Sequence, residues 1–300
     1  MKLRIATRKS ALALKQTERV QDLLLAICPT LQIEWVESLT LGDQILDRSL
    51  AEVGGKGLFI KKLEEILLAG SADIAVHSLK DVPPQLEPEF CLAAVLSRDS
   101  PFDVLVSRSK VSFQDLPQGA VIGTSSVRRQ AALLHARPDL NIKMLRGNVG
   151  TRLQKLAAGE YDALILAEAG LRRLGLESWI TEVLPFELCL PSVGQGVIAI
   201  ECLANRRQEF SFLTEINHAE TEACILAERA MNQALGASCV SPVGSFARIE
   251  AGQLVLRGAV WEQDGRQKYT TLHSTAHLKN AIALGQQAAV NLISQGARVK

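Results

Sequence analysis

Eight short apolar runs, most of them rich in β-branched residues, lie between residues 3 and 201 of this chain, with helical patterns between many of them. They read "LRIAT" (3–7), "IEWVESL" (33–39), "DIAVHS" (73–78), "DVLVS" (103–107), "AVIGT" (120–124), "NIKML" (141–145), "DALILA" (162–167) and "GVIAIE" (196–201). Helical periodicity predicts helices from about Ser10 to Ala26, around 57–69, and over 127–136 and 149–158. Such alternation points to α/β architecture with mostly parallel sheets, because a parallel neighbour is reached only by a crossover, usually a helix. From about Asn217 the pattern changes to a helix (218–235), three strands near 243–273 with a hairpin turn at "QDGRQ", and a last helix (277–294). Three domains are predicted: an α/β domain of 1–98 with 194–216, a second of 99–193, and an α+β domain of 217–300.

The net charge is +1, too small for a generic nucleic-acid binder, but the charge is unevenly placed. Between Val121 and Gly175 nine basic residues face four acidic ones, a local excess of five, so the remainder is about −4. "IGTSSVRRQ" (122–130) puts a strand end, hydroxyl residues able to cap a helix, and Arg128 and Arg129 in one turn. A helix N-terminus already favours an anion, and two arginines add to it. "MLRGNVGTRL" repeats the theme with Arg146 and Arg152, and "AEAGLRRLG" repeats it with Arg172 and Arg173. One such pair is ordinary solvated surface. Three along one sheet edge repel unless an anion is present, and Arg8 in "IATRKS" adds the same feature from the other α/β domain. A multi-carboxylate or phosphate ligand between two domains is therefore expected.

"DIAVHSLKDVPP" places Lys80 and Asp81 just past a strand, where α/β sheets bind ligands, and Pro83 and Pro84 stiffen the segment. The pair reads either as an ion pair closing a loop or as a positioned carboxylate. His77, with no nucleophile near it in sequence, reads as a satisfied core histidine. The segment 41–59, charged and carrying Gly54, Gly55 and Gly57, is either a lid or a plain solvent loop. The six cysteines form no CxxC pair and no zinc-like cluster, so no metal is expected and a reducing cytoplasm fits. Neither a signal peptide nor a membrane span is expected. Cys239 alone sits among small residues on both sides, "GASCVSPVG".

Eight segments, "IATRKSALAL", "GGKGLF", "VHSLKDVP", "GTSSVRRQ", "LRGNVGTRL", "AGLRRLG", "VGQGVIAIE" and "CVSPVG", together closely resemble the porphobilinogen deaminase (hydroxymethylbilane synthase) family, in order and over nearly the whole chain. The resemblance implies two periplasmic-binding-protein-like (type II) α/β domains plus a C-terminal α+β domain. It implies a cytoplasmic, monomeric transferase of haem and chlorophyll biosynthesis that joins four porphobilinogens head to tail, each losing ammonia, and releases the tetrapyrrole by hydrolysis. It also implies a dipyrromethane cofactor attached by a thioether to Cys239. Every pyrrole ring carries an acetate and a propionate, which the arginine rows suit. The resemblance places cofactor contacts at Lys80, Thr124, Ser125, Ser126, Arg128, Arg129 and Arg152. It places substrate contacts at Arg8, Ser10, Phe59, Arg146, Arg152, Arg173 and Gln195. Asp81 becomes the catalytic carboxylate, stabilising positive charge on pyrrole nitrogens as an azafulvenium-like ring forms and is attacked. A lid at 41–59 would keep water from that ring.

Two positions depart from the family pattern. Ser241, in Cys-Val-Ser-Pro, stands where an apolar residue is usual, and Glu168 stands where a small uncharged residue is expected, so it is predicted to point away from the anion site. An anion receptor would share the lobed architecture but would give no role to Cys239 or Asp81. A nucleotide enzyme lacks its GxGxxG or GxxxxGK[ST] loop, and 4% aromatic residues leave few stacking platforms for nucleic acid.

Overall fold

The computed structural model describes residues 2–40, 60–238 and 240–299. Its first lobe contains β1 (Lys2–Arg8), α1 (Ala11–Ile27), β2 (Gln32–Ser38), α2 (Lys61–Leu68), β3 (Ile74–Ser78) and β4 (Phe90–Val95). The chain then crosses to a second lobe built from β5 (Asp103–Ser107), β6 (Val121–Gly123), α3 (Val127–Ala136), β7 (Asn141–Lys143), α4 (Val149–Ala157), β8 (Ala163–Ala167), α5 (Glu168–Arg173) and β9 (Glu182–Val183). It returns to the first lobe as β10 (Ile198–Leu203), followed by 3-10 turns over Ala204–Ile216. The third domain holds α6 (Ala219–Ala234), β11 (Val243–Glu250), β12 (Gln253–Trp261), β13 (Lys268–Thr275) and α7 (Ala281–Ser294).

The two lobes share one plan. The first sheet has the order β2-β1-β3-β10-β4 and the second β7-β6-β8-β5-β9. In each, three strands are parallel, with Ile5 of β1 beside Trp35 of β2 and Ile74 of β3, and Ile122 of β6 beside Ile142 of β7 and Ala163 of β8. The fourth strand enters from the other lobe and runs antiparallel to both neighbours. This is the type II binding-protein topology. The sheets are thus mixed, where mostly parallel ones were predicted, because a strand that has just crossed between lobes enters its sheet from the opposite end. β4 and the 3-10 turns after β10 are not among the predicted elements.

The helix N-termini at the strand ends are capped by the side chains that their sequences offer. Ser10 accepts from the Ala13 amide (3.4 Å), Ser126 from the Arg129 amide (3.4 Å) and Asn148 from the Thr151 amide (2.9 Å). Each cap contributes about 1 kcal/mol and sets where its helix begins. The cores divide unequally. Phe246, Ala259 and Trp261 of the third domain are buried in the same apolar cluster as Leu105, Phe113, Ile122, Leu133 and Leu190 of the second lobe. Toward the first lobe, the third domain offers Ile225, which packs with Leu79, Val95 and Val197. It also offers Glu228, whose carboxylate accepts from Arg98 at 2.6 Å and from the Gly194 and Ala247 amides at 2.8 Å.

Candidate active site

β1, β3, β6 and β7 are each followed within three residues by charged or hydroxyl residues: Lys9 and Ser10, Lys80 and Asp81, Thr124 and Ser125, and Arg146. β1 ends on Arg8. β3 runs into a single 3-10 turn, Leu79–Asp81, closed by the Val82 amide on the Leu79 carbonyl at 3.0 Å, so Lys80 and Asp81 are held on a rigid bend. Arg8 Nη1 lies 3.7 Å from Asp81 Oδ2. Across from them, Thr124 Oγ1 accepts from the Ser126 amide at 3.2 Å, and Ser125 Oγ donates to the Leu145 carbonyl. These bonds shape the turn that launches α3 with Arg128 and Arg129.

Those two arginines are buried, and an internal carboxylate answers them. Arg128 Nη1 lies 2.8 Å from Asp103 Oδ2 and donates to the Leu190 carbonyl at 2.7 Å. Arg129 donates through Nε (3.1 Å) and Nη2 (2.7 Å) to Asp103 Oδ1, and through Nη1 to the Ile165 carbonyl at 2.9 Å. Gln195 Nε2 adds a bond to Asp103 Oδ1 at 2.9 Å and one to the Pro101 carbonyl at 2.6 Å, while the Cys189 thiol donates to Oδ2 at 3.2 Å. Burial alone would raise the Asp103 pKa, but the two guanidiniums outweigh it and hold it well below the usual carboxylate range. Burial beside that carboxylate pushes Cys189 up to about 12, so the sulfur stays a thiol and a donor. Two arginines against one aspartate leave one positive charge over.

Arg146 and Arg152 are different. Arg146 is buried, yet among the described residues its Nε and Nη2 meet no hydrogen-bond partner, and burial lowers its pKa. Arg152 Nε donates to the Gly147 carbonyl at 2.8 Å, and burial together with Arg129 and Arg146 pushes this guanidinium down to about 10. Lys80 is pushed down to about 8 by burial and by Arg129, partly offset by Asp81 and Asp103. Asp81 of the first lobe therefore lies within the field of cations from the second. An unpartnered buried donor costs about 1–3 kcal/mol, more when charged. A site with two such donors beside like charges is organised for an anion.

Ser10 caps α1, and Gln195 is buried on Asp103 with its Oε1 unpartnered among the described residues. Arg173 is engaged elsewhere: its Nε donates to Asp99 Oδ2 at 2.8 Å and its Nη2 to the Gly196 carbonyl at 2.7 Å, on the segments that link the lobes. Glu168 faces Ser100 and Arg172, away from the arginine wall. His77 is buried, with Nε2 3.0 Å from Glu201 Oε2. Ser241 is buried and its Oγ accepts from the Ser238 amide at 3.0 Å, a polar partner at a position where the family usually has an apolar residue. Cys239, Phe59 and the 41–59 segment lie outside the described residues. Nothing local in the sequence marks Asp103, Asp99 or Cys189 as partners of these arginines. The one available signal was that two adjacent arginines, if buried, require a carboxylate.

Two lobes of this topology, a cationic wall facing one aspartate, and a third domain packed on both define the class: a two-lobed type II α/β protein with a positively charged cleft. Residues 3–210 match the family model described as porphobilinogen deaminase, dipyromethane cofactor binding domain, and residues 222–294 match that described as porphobilinogen deaminase, C-terminal domain. The chain belongs to the porphobilinogen deaminase family. Solved structures similar to it include a TRAP periplasmic solute binding protein from Desulfovibrio salexigens (14% identity, 72% of each chain, TM-score 0.45). Others are the periplasmic aliphatic sulphonate binding protein of Escherichia coli (15% identity, 98% of this chain and 87% of that one, TM-score 0.44) and the VFT2 domain of Bordetella pertussis BvgS (14%, 72% and 85%, TM-score 0.44). All three likenesses are distant. Among the described residues no helix is long and apolar enough to cross a membrane.

Proposed function

We propose that this chain is a hydroxymethylbilane synthase: it joins four porphobilinogen molecules head to tail, releasing ammonia at each addition, on a dipyrromethane primer held by a thioether to Cys239. The observation that carries this reading is Arg146, buried with two donors unpartnered among the described residues, in a cationic wall opposite Asp81. A dipyrromethane fits that wall, since each ring bears two carboxylates and, among the described residues, the wall holds more cations than its carboxylates answer. When bound, the group supplies the pyrrole carbon to which the first substrate ring is joined.

The protein's own residues bind, orient and stabilise. Arg128, Arg129, Lys80, Thr124, Ser125 and Ser126 hold carboxylates of the primer, Arg152 stands between primer and substrate, and Arg8, Ser10, Arg146 and Gln195 border the incoming ring. As ammonia leaves porphobilinogen, positive charge develops on the substrate's pyrrole nitrogen. Asp81, fixed by its 3-10 turn and by Arg8, accepts the ring N–H and balances that charge. Asparagine could accept the hydrogen bond but not balance the charge. Asp81→Asn is expected to cut turnover by about 10²–10³-fold while the primer stays attached; a near-normal rate in that variant removes Asp81 from the mechanism.

Intact mass of the denatured protein, measured beside Cys239→Ser, tests the whole reading. An excess equal to two linked pyrrole units, absent from the variant, is expected. If wild type stays unmodified even after incubation with porphobilinogen, the reading fails and an anion receptor takes its place.

A further inference from the structure

The two segments that link the lobes lie side by side. The Asp99 amide donates to the Gly196 carbonyl at 3.0 Å and the Leu96 amide to the Ile198 carbonyl at 3.0 Å. At Gly196, with φ +86°, an added Cβ would sit 2.6 Å from the Asp99 carbonyl oxygen and 2.8 Å from that of Ser100, so only glycine allows this approach. The first segment carries two carboxylates four residues apart. Asp103 takes the arginines of the cleft. Asp99 takes one arginine from each lobe: Arg19 of α1, whose Nη1 lies 2.7 and 2.8 Å from its two oxygens, and Arg173 of α5, whose Nε lies 2.8 Å from Oδ2. Arg173 is further tied to the second segment through the Gly196 carbonyl. Beside this bridge opens a cavity of about 680 Å³, lined by Arg19, Asp99, Phe102, Arg172 and Arg173 among others.

Arg19 stands nine residues beyond the Ser10 cap, about 14 Å along the helix axis from the α1 terminus that borders the cleft. A residue so placed is far along the helix from the terminus beside Arg8 and Asp81, yet it shares its carboxylate with Arg173. We propose that Asp99 is a positioning residue that sets the angle between the lobes, with Arg19 and Arg173 as its anchors, and that Arg173 serves turnover through this bridge and not as a contact for substrate carboxylates. The hub is geometric: one carboxylate on the link, one cation on each body, and a backbone carbonyl of the other link completing the clamp. Rotation of either lobe about the links must stretch one of these bonds. The wall that faces Asp81 belongs to the second lobe and Asp81 to the first, so the lobe angle sets their separation.

Only the kinetic arm of the test rests on the tetrapyrrole reading. Small-angle X-ray scattering of the full chain is recorded for wild type, Arg19→Ala, Arg173→Ala and the double variant, alongside steady-state kinetics with porphobilinogen. Both single variants, altered on opposite lobes, are expected to shift the radius of gyration in the same direction, and the double variant to shift it no further than the larger single. Each is expected to lower kcat by about tenfold, a coupling of ordinary size, with KM within twofold of wild type. Where truncation unfolds the chain, the isosteric Asp99→Asn replaces it and the same scattering response is expected. The proposal is overturned if Arg19→Ala matches wild type in scattering and rate, or if Arg173→Ala alone raises KM tenfold with scattering unchanged. A wild type inert toward porphobilinogen defeats the function reading but leaves the scattering result to decide this one.

Discussion

Arg128–Arg129 and Arg146–Arg152 come from the same sequence pattern, basic residues just past a strand end, and the fold treats them in opposite ways. The first pair is buried on Asp103, with carbonyls of Ile165 and Leu190 taking further donors. Among the described residues the second pair has no carboxylate within bonding distance, and Arg146 keeps two buried donors unpartnered. One pair shares its charge between an internal carboxylate and the cleft, while the other meets no carboxylate among the described residues and is poised for something from outside. The pattern shows where positive charge goes; what answers it is decided by tertiary structure.

The strongest way to break this contrast is to remove the internal partner. Asp103→Asn leaves two buried guanidiniums without their counter-charge and is expected to cost about 3–5 kcal/mol of stability, read from the denaturant midpoint. If the variant is as stable as the parent, the two arginine pairs do not differ in the way described. The complementary change, Arg146→Gln, removes a cation that no carboxylate among the described residues answers. Stability of the ligand-free protein is expected to hold or rise slightly, while affinity for porphobilinogen falls by about ten- to a hundredfold, the worth of a hydrogen bond to a charged group. A large loss of stability without loss of affinity would move Arg146 into the framework class.

The smallest expected effect is a pH dependence. Burial and Arg129 push Lys80 down to about 8, so the ligand-free site loses a cation as pH climbs through that value. Anion affinity is therefore expected to fall above pH 8, by up to about tenfold per unit, and Lys80→Arg should flatten the profile. Stability should move the other way. Between about 8 and the ordinary lysine range the unfolded chain holds more protons than the folded one, so the protein becomes more stable as pH rises. An affinity profile unchanged by Lys80→Arg would place the lysine outside the anion site.

The α/β lobes and the change of pattern near Asn217 were legible because periodicity survives folding. Strand direction was not, since "DVLVS" and "GVIAIE" look the same whichever way they run, and both lie antiparallel to their neighbours. "FCLAAV" forms β4 with no strand signal in its sequence, for an apolar run of six carries little period of its own. Arg173 was legible as a cation, but Asp99 is 74 residues away in sequence and nothing local joins them. His77 read as a satisfied core residue, and the structure gives it Glu201. Asp103 stands first in its strand, where an acid looks like the end of a turn.

The place of β10 in the first sheet has a consequence for how the chain is made. β10 lies between β3 and β4, so the lobe whose sequence is translated first lacks an inner strand until residue 203 has been synthesised. The second lobe needs nothing from beyond β9 to complete its sheet. At ordinary translation speeds the wait from the end of β4 to the end of β10 is roughly 5–20 s, long compared with strand pairing. During it the edges of β3 and β4 stand unpaired and able to associate with other chains. The lobe that carries Asp81 is thus begun first and closed last, and a nascent chain stalled between the two strands is the form of this protein most in need of a chaperone.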